Sequence, residues 1–224
     1  MKIKICLCSA SAALLMGCSS TPIEHVYTLR PAETSSPTTQ SDFSLASVTV
    51  SLTASGMDRP QWVLRDPHQE LQILEQQRWM QPLGEEISQS LIDQLQPQLN
   101  QMPESAPYLR LVATPSSVPW QQLADARGPR LHLDVEVSRF DTWVSPQPRI
   151  NDEIIWRLHC SGAQDASLSD RQGLKSYSRL ALEKQGLSSY QVLAETHQQV
   201  LGEAAEEIAQ AMREMSPHCL TRAP

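Results

Sequence analysis

Leu131-His132-Leu133-Asp134-Val135-Glu136-Val137 sets an aliphatic side chain at every second position and a polar one between. Successive side chains of a strand point to opposite sides, so this stretch predicts a strand with four aliphatics on one face and three solvated polar groups on the other. Strands of that kind belong to sheets that are covered on one side only. Phe140 falls on the parity opposite to Val137, which predicts a β-bulge or strand end near Ser138 to Arg139. Downstream, Ile154, Trp156, Leu158 and Cys160 repeat the alternation, and Leu174 to Leu182 gives a further strand after the polar turn at Asp165 to Arg171. Two such neighbours after a long strand predict an antiparallel meander.

Upstream the strands are shorter. His25 to Leu29, Val48 to Leu52, Gln61 to Arg65, Glu70 to Leu74 and Tyr108 to Val112 each read as one. Pro82, Glu85 and Glu86 open a helix whose stripe is Leu83, Ile87, Leu91 and Leu95, widened by Ile92 and Leu99, and which Pro97 should kink or end. A second helix, capped by Ser188 or Ser189, runs to about Met215 with Leu193, Val200, Leu201, Ala204, Ile208, Ala211, Met212 and Met215 on one side. The pattern predicts an α+β fold: a mostly antiparallel sheet covered on one face by two amphipathic helices. Residues 31–42 hold too few apolar groups to pack and read as a Ser/Thr/Pro-rich connection, and Pro115 to Pro129 reads as loop with one helical turn at Gln121 to Ala126.

The amino terminus carries a second message. Lys2 and Lys4 precede a short apolar run that closes on Leu14-Leu15-Met16-Gly17-Cys18-Ser19-Ser20. The run is diluted by Lys4, Ser9 and Ser11 and falls short of the roughly 20 apolar residues that span a bilayer, so it reads as a cleavable leader. It resembles the lipobox of bacterial lipoproteins. That resemblance implies cleavage between Gly17 and Cys18, acylation of Cys18, and, with Ser19 in place of Asp, the inner leaflet of a Gram-negative outer membrane. The organisation read from this is a signal peptide at 1–17, a lipidated tether at 18–24, one domain at 25–216 and a tail at 217–224.

Removal of the first 17 of 224 residues leaves 207, enough for one domain with its own core. The leader takes two of the 18 basic residues and none of the 25 acidic ones, so the mature net charge is −9. An acidic surface repels nucleic acid and anionic headgroups, which leaves protein or neutral apolar partners. Cys6 and Cys8 depart with the leader and Cys18 is the modified residue, so Cys160 and Cys219 remain. An oxidising compartment favours a disulfide between them, while the strand parity of Cys160 suits an ordinary buried thiol; both readings stand.

Four features follow one another in order. The lipobox is followed by Tyr27-x-Leu29, then Val48-Thr49-Val50, then Asp58-Arg59-Pro60-Gln61, then Arg78-Trp79-Met80-Gln81-Pro82-Leu83 opening a helix. The chain resembles the PqiC-like, ABC-type transport auxiliary lipoproteins over nearly its whole mature length. The resemblance implies an outer-membrane subunit of an MCE/Pqi-type lipid transport complex, with an inner-membrane MCE-domain (PqiB-like) protein as partner and a homo-oligomeric ring as one form of assembly. The motif residues also have structural readings: Pro60 fixes φ where a strand starts, Asp58 and Arg59 suit a surface ion pair, Trp79 a core anchor and Pro82 with Leu83 a helix start.

Two other classes compete with that function. A free-standing lipid or lipoprotein carrier would enclose an apolar cavity between sheet and helices. An envelope hydrolase would need a nucleophile or acid–base pair, and no Gly-x-Ser-x-Gly, Ser-x-x-Lys or phosphate loop is present. The six histidines, His25, His68, His132, His159, His197 and His218, show no metal-ligand spacing, so neither metal nor cofactor is expected. His132, Asp134 and Glu136 share a strand face and read as its solvated side, and the chain as a non-enzyme.

Overall fold

The computed structural model describes residues 22–32, 44–53, 57–101, 109–117, 131–143, 148–160, 170–180 and 189–220. The lipobox, the 31–42 connection beyond Ala32, the Tyr108 strand start, the Gln121–Ala126 turn, residues 165–169 of the expected Asp165–Arg171 turn and Ser188 lie outside those residues, while Asp170 and Arg171 are strand rather than turn. The elements in order are β1 (His25–Tyr27), β2 (Ser44–Leu52), β3 (Gln61–Arg65), β4 (Leu71–Trp79), α1 (Leu83–Leu99), β5 (Leu109–Thr114), β6 (Leu131–Trp143), β7 (Arg149–Cys160), β8 (Asp170–Leu180) and α2 (Ser189–Leu220).

All eight strands join one sheet, built around β6. β7 lies antiparallel along the whole of one edge of β6, from Leu131↔Cys160 to Trp143↔Arg149. The other edge is shared: β2 runs parallel to its first half, from Ala46↔Leu131 to Leu52↔Val137, and β3 touches its end at Leu64↔Thr142. A bulge between Val137 and Arg139 shifts the register where the parity break predicts it. Its effect is to carry Phe140 and Thr142 to the side of the sheet that Val137 faces.

The sheet is mixed, which corrects the mostly antiparallel expectation. β6–β7, β7–β8 and β3–β4 are antiparallel, but β1–β4, β2–β5, β2–β6 and β3–β6 are parallel. Alternation within a strand reports which side is buried and is blind to the direction of the neighbour. The parallel β2–β5 pair has α1 in its connection, as a parallel pair requires a crossover.

α1 packs on β2 and β5, α2 packs on β7 and β6, and the helices pack on each other. Gly202 of α2 faces Gln94 of α1 where the helices meet, and the Gln94 amide end lies over it. The predicted stripes of both helices are buried, apart from the half-buried Ile92. Pro97 stays inside α1, which ends two residues later, where Asn100 N–H donates to the Gln96 carbonyl. The Gln96 side chain also bonds the Leu109 carbonyl and the Leu111 N–H of β5, holding that strand's backbone against the helix. α2 runs past Met215 and through Pro217, so part of the predicted tail is helical. Cys219 near its end is bonded to Cys160 of β7 as a disulfide, with Cα atoms 5.6 Å apart.

Candidate functional site

The residues of the sequence motif meet at one end of the molecule. β1 carries Tyr27 to the edge of β4, where the Tyr27 carbonyl accepts from Met80 N–H at 2.8 Å. The Pro60 carbonyl, at the start of β3, accepts from Trp79 N–H at 2.6 Å. Trp62 stacks on Trp79 with ring centroids 4.2 Å apart, and Tyr27 meets Trp62 edge-on at 5.1 Å. Pro82 occupies the N-cap position of α1 and has no side chain to cap it. Asp58 does so from a distance in sequence, its Oδ1 accepting from Gly84 N–H at 3.0 Å. The helix begins beside a carboxylate, which suits its positive end. Leu83 is buried below. Arg59 is half-buried beside Asp58, with its own N–H donating to the Met57 carbonyl.

The segment after β1 is fastened to α1 by a polar row that apolar periodicity does not reveal. Glu86 Oε2 accepts from Leu29 N–H and from Thr28 Oγ1, each at 3.0 Å. Ser90 Oγ donates to the Leu29 carbonyl at 2.7 Å, and Arg30 Nε pairs with Asp93 at 2.6 Å. Glu86, Ser90 and Asp93 are spaced four and three apart, one row on the helix surface, and all three are buried. Leu29 between them is fully buried. The sequence signal was available: three polar residues at helical spacing beside the apolar stripe.

A second polar group lies inside the core. Trp62 Nε1–H donates to Thr142 Oγ1 at 2.9 Å, Thr142 Oγ1 lies 2.9 Å from His197 Nε2, and His197 Nδ1 lies 2.8 Å from Asp152 Oδ2. A neutral imidazole with its proton on Nδ1 satisfies this chain of donors in one direction. Phe140 stacks on the imidazole at 4.0 Å. His197 sits in the apolar stripe of α2, between Leu193 and Leu201, and Asp152 sits on the apolar parity of β7 with Ile154. Each breaks the pattern of its own element, and the two breaks pair with each other. The hydroxyl, imidazole and carboxylate follow the order of a catalytic triad, yet each residue is at most 1 % exposed, so substrate has no access. The arrangement locks α2 to β6 and β7.

On the opposite parity of the sheet, Ser47 Oγ lies 2.8 Å from His132 Nδ1, and Asp134 pairs with His159 at 3.2 Å. His132 is fully buried, which corrects its reading as a solvated residue; Asp134 and Glu136 are half-buried. Alternation identifies the second face of a strand but not whether that face is wet. Burial, with His159 second, pushes the His132 pKa down from 6.5 to about 4, and burial raises the Asp134 carboxyl against the pull of His159 and Arg157.

Among the described residues no group of His, Cys, Asp and Glu is placed to hold a metal ion, and no helix is long and apolar enough to cross a membrane. The space beside Trp62, Trp79 and Phe140 is about 10 Å³, room for one water and not for an acyl chain. An open cleft of about 510 Å³ lies between the start of α1 and the ends of β2 and β5, with Asp58, Gln81, Glu85 and Ser117 among its lining residues. Val50, Ala113 and Pro115 line it as well, and its Asp58 is already engaged by Gly84.

The family model described as "ABC-type transport auxiliary lipoprotein component" matches residues 27–209. The chain belongs to that PqiC-like family. The match begins at Tyr27 and takes in the motif cluster, the clamp on α1 and His197. Two solved structures share the fold. The crystal structure of an uncharacterized protein is 18 % identical, with a TM-score of 0.55 over 85 % of this chain and 99 % of that one. Protein XCC0632 from Xanthomonas campestris, of family DUF330, is 18 % identical, with a TM-score of 0.53 over 86 % and 96 %. No curated protein matches the sequence significantly.

Proposed function

We propose that this chain is the outer-membrane lipoprotein subunit of an MCE/Pqi-type lipid transport complex, where it docks the periplasm-spanning tube of an MCE-domain partner. Acyl chains on Cys18 hold it to the inner leaflet, and the domain stands in the periplasm. The observation that carries the reading is the family match over residues 27–209; the clamp of Glu86, Ser90 and Asp93 on Thr28 to Arg30 suits a domain held close to its anchor. That clamp begins ten residues after Cys18 and ties the leash to a helix of the core, so the domain cannot drift far from its lipid. Passage of lipid between membranes exposes acyl chains at about 25 cal/mol per Å² unless a continuous apolar path is kept. A subunit fixed at the receiving membrane completes such a path by docking the tube, without enclosing lipid itself.

The experiment is co-purification. The lipidated protein, extracted from envelopes in mild detergent, is expected to bring down a tube-forming MCE-domain protein. Its recovery alone at every detergent strength would count against the docking role.

A further inference from the structure

Large apolar side chains stand exposed at the end of the sheet where the chain arrives from Cys18. Ile23 is 77 % exposed, Val26 57 % and Met80 62 %. Val26 and Met80 belong together: Val26 pairs with Arg78 in the β1–β4 register, and Met80 N–H is bonded to the Tyr27 carbonyl; Ile23 stands two residues before β1 begins. The charges among them cancel, Arg78 lying 3.4 Å from Glu24. Exposed apolar side chains that lie side by side, as Val26 and Met80 do, mark a contact surface more than single exposed ones do.

The chain length decides what covers them. Ile23 is five residues beyond Cys18, and an extended chain spans at most about 3.6 Å per residue, so Ile23 lies within about 18 Å of the acylated cysteine. The clamp on Thr28 to Arg30 removes any slack farther along. We infer that Ile23, Val26 and Met80 form a membrane-contact edge that rests on the neutral, zwitterionic phospholipid surface into which the Cys18 acyl chains insert. The β1–β4 edge then points at the bilayer. The mature net charge of −9 agrees with a surface that is not anionic. The inference rests on the lipid-anchored reading above, and its test separates the two.

The test is hydroxyl-radical footprinting read by mass spectrometry. The mature acylated chain in phosphatidylcholine vesicles is compared with the soluble Cys18→Ala chain. Leu71 and Ile73, 55 % and 43 % exposed, serve as internal reference, because Leu71 stands about 26 Å along β4 from Trp79 at strand rise. Labelling of Ile23, Val26 and Met80 is expected to fall several-fold in vesicles relative to that reference. Equal labelling in both states, with acylation of Cys18 verified by intact mass, would overturn the membrane edge while leaving the anchor intact. An unacylated Cys18 would remove the anchor and the edge together.

Discussion

Glu86 accepts two hydrogen bonds from the segment that leads to Cys18, and it does so without solvent to replace them. Glu86→Ala strands the buried Leu29 N–H, at a cost of about 1–3 kcal/mol. Urea unfolding should read that loss, and limited proteolysis should cut near Thr28 sooner than in the parent; an unchanged midpoint would remove the clamp from the account. Asp58→Ala deletes the borrowed cap of α1 and should cost about 1 kcal/mol by the same assay. His132 governs the acid side. The unfolded chain takes up a proton on this residue near pH 6.5, whereas the folded chain resists until about pH 4. Its contribution is therefore complete above pH 6.5 and is lost as the pH falls from there to 4, on the order of 3 kcal/mol in all. Asp134, with its pKa raised by burial, acts with the opposite sign, favouring the fold as it protonates. A pH series of unfolding curves should show a slope in that window that His132→Gln flattens.

At the scale of elements, the disulfide and the Trp62–Thr142–His197–Asp152 chain are two separate ties between α2 and the sheet, near its two ends. Cys219→Ser should destabilise by about 2–4 kcal/mol, and intact mass of the parent without reductant should find no free thiol on Cys160. Trp79→Ala should cost about 3–5 kcal/mol, since the indole is buried and stacked on Trp62. Strand positions, the bulge and both helix stripes were legible because each depends on periodicity within one element. Strand direction was not, because Val48 and Val50 alternate alike beside a parallel or an antiparallel neighbour. The clamp and the buried His197 were half-legible. Glu86, Ser90, Asp93, His197 and Asp152 stand out as polar residues in or beside apolar rows, but their partners are brought to them only by the tertiary fold.

For the whole molecule, the parts agree on a domain with its own core and a short fastened leash. Cys18→Ala should therefore yield a soluble, folded protein with the parent's unfolding midpoint; aggregation of that variant would mean that the domain depends on its membrane. The motif cluster, the start of α1 and the exposed Val26 and Met80 all lie near β1, so the proposed anchorage and the family signature would share one pole. The proposed lipid on Cys18 would hold this domain at the outer membrane. Its most direct measurement is the intact mass of the chain recovered from separated envelope fractions. The polypeptide is expected to begin at Cys18, carry acyl chains and be found in the outer-membrane fraction. A chain that keeps its first seventeen residues, carries no acyl group and is recovered from the cytosol would contradict it.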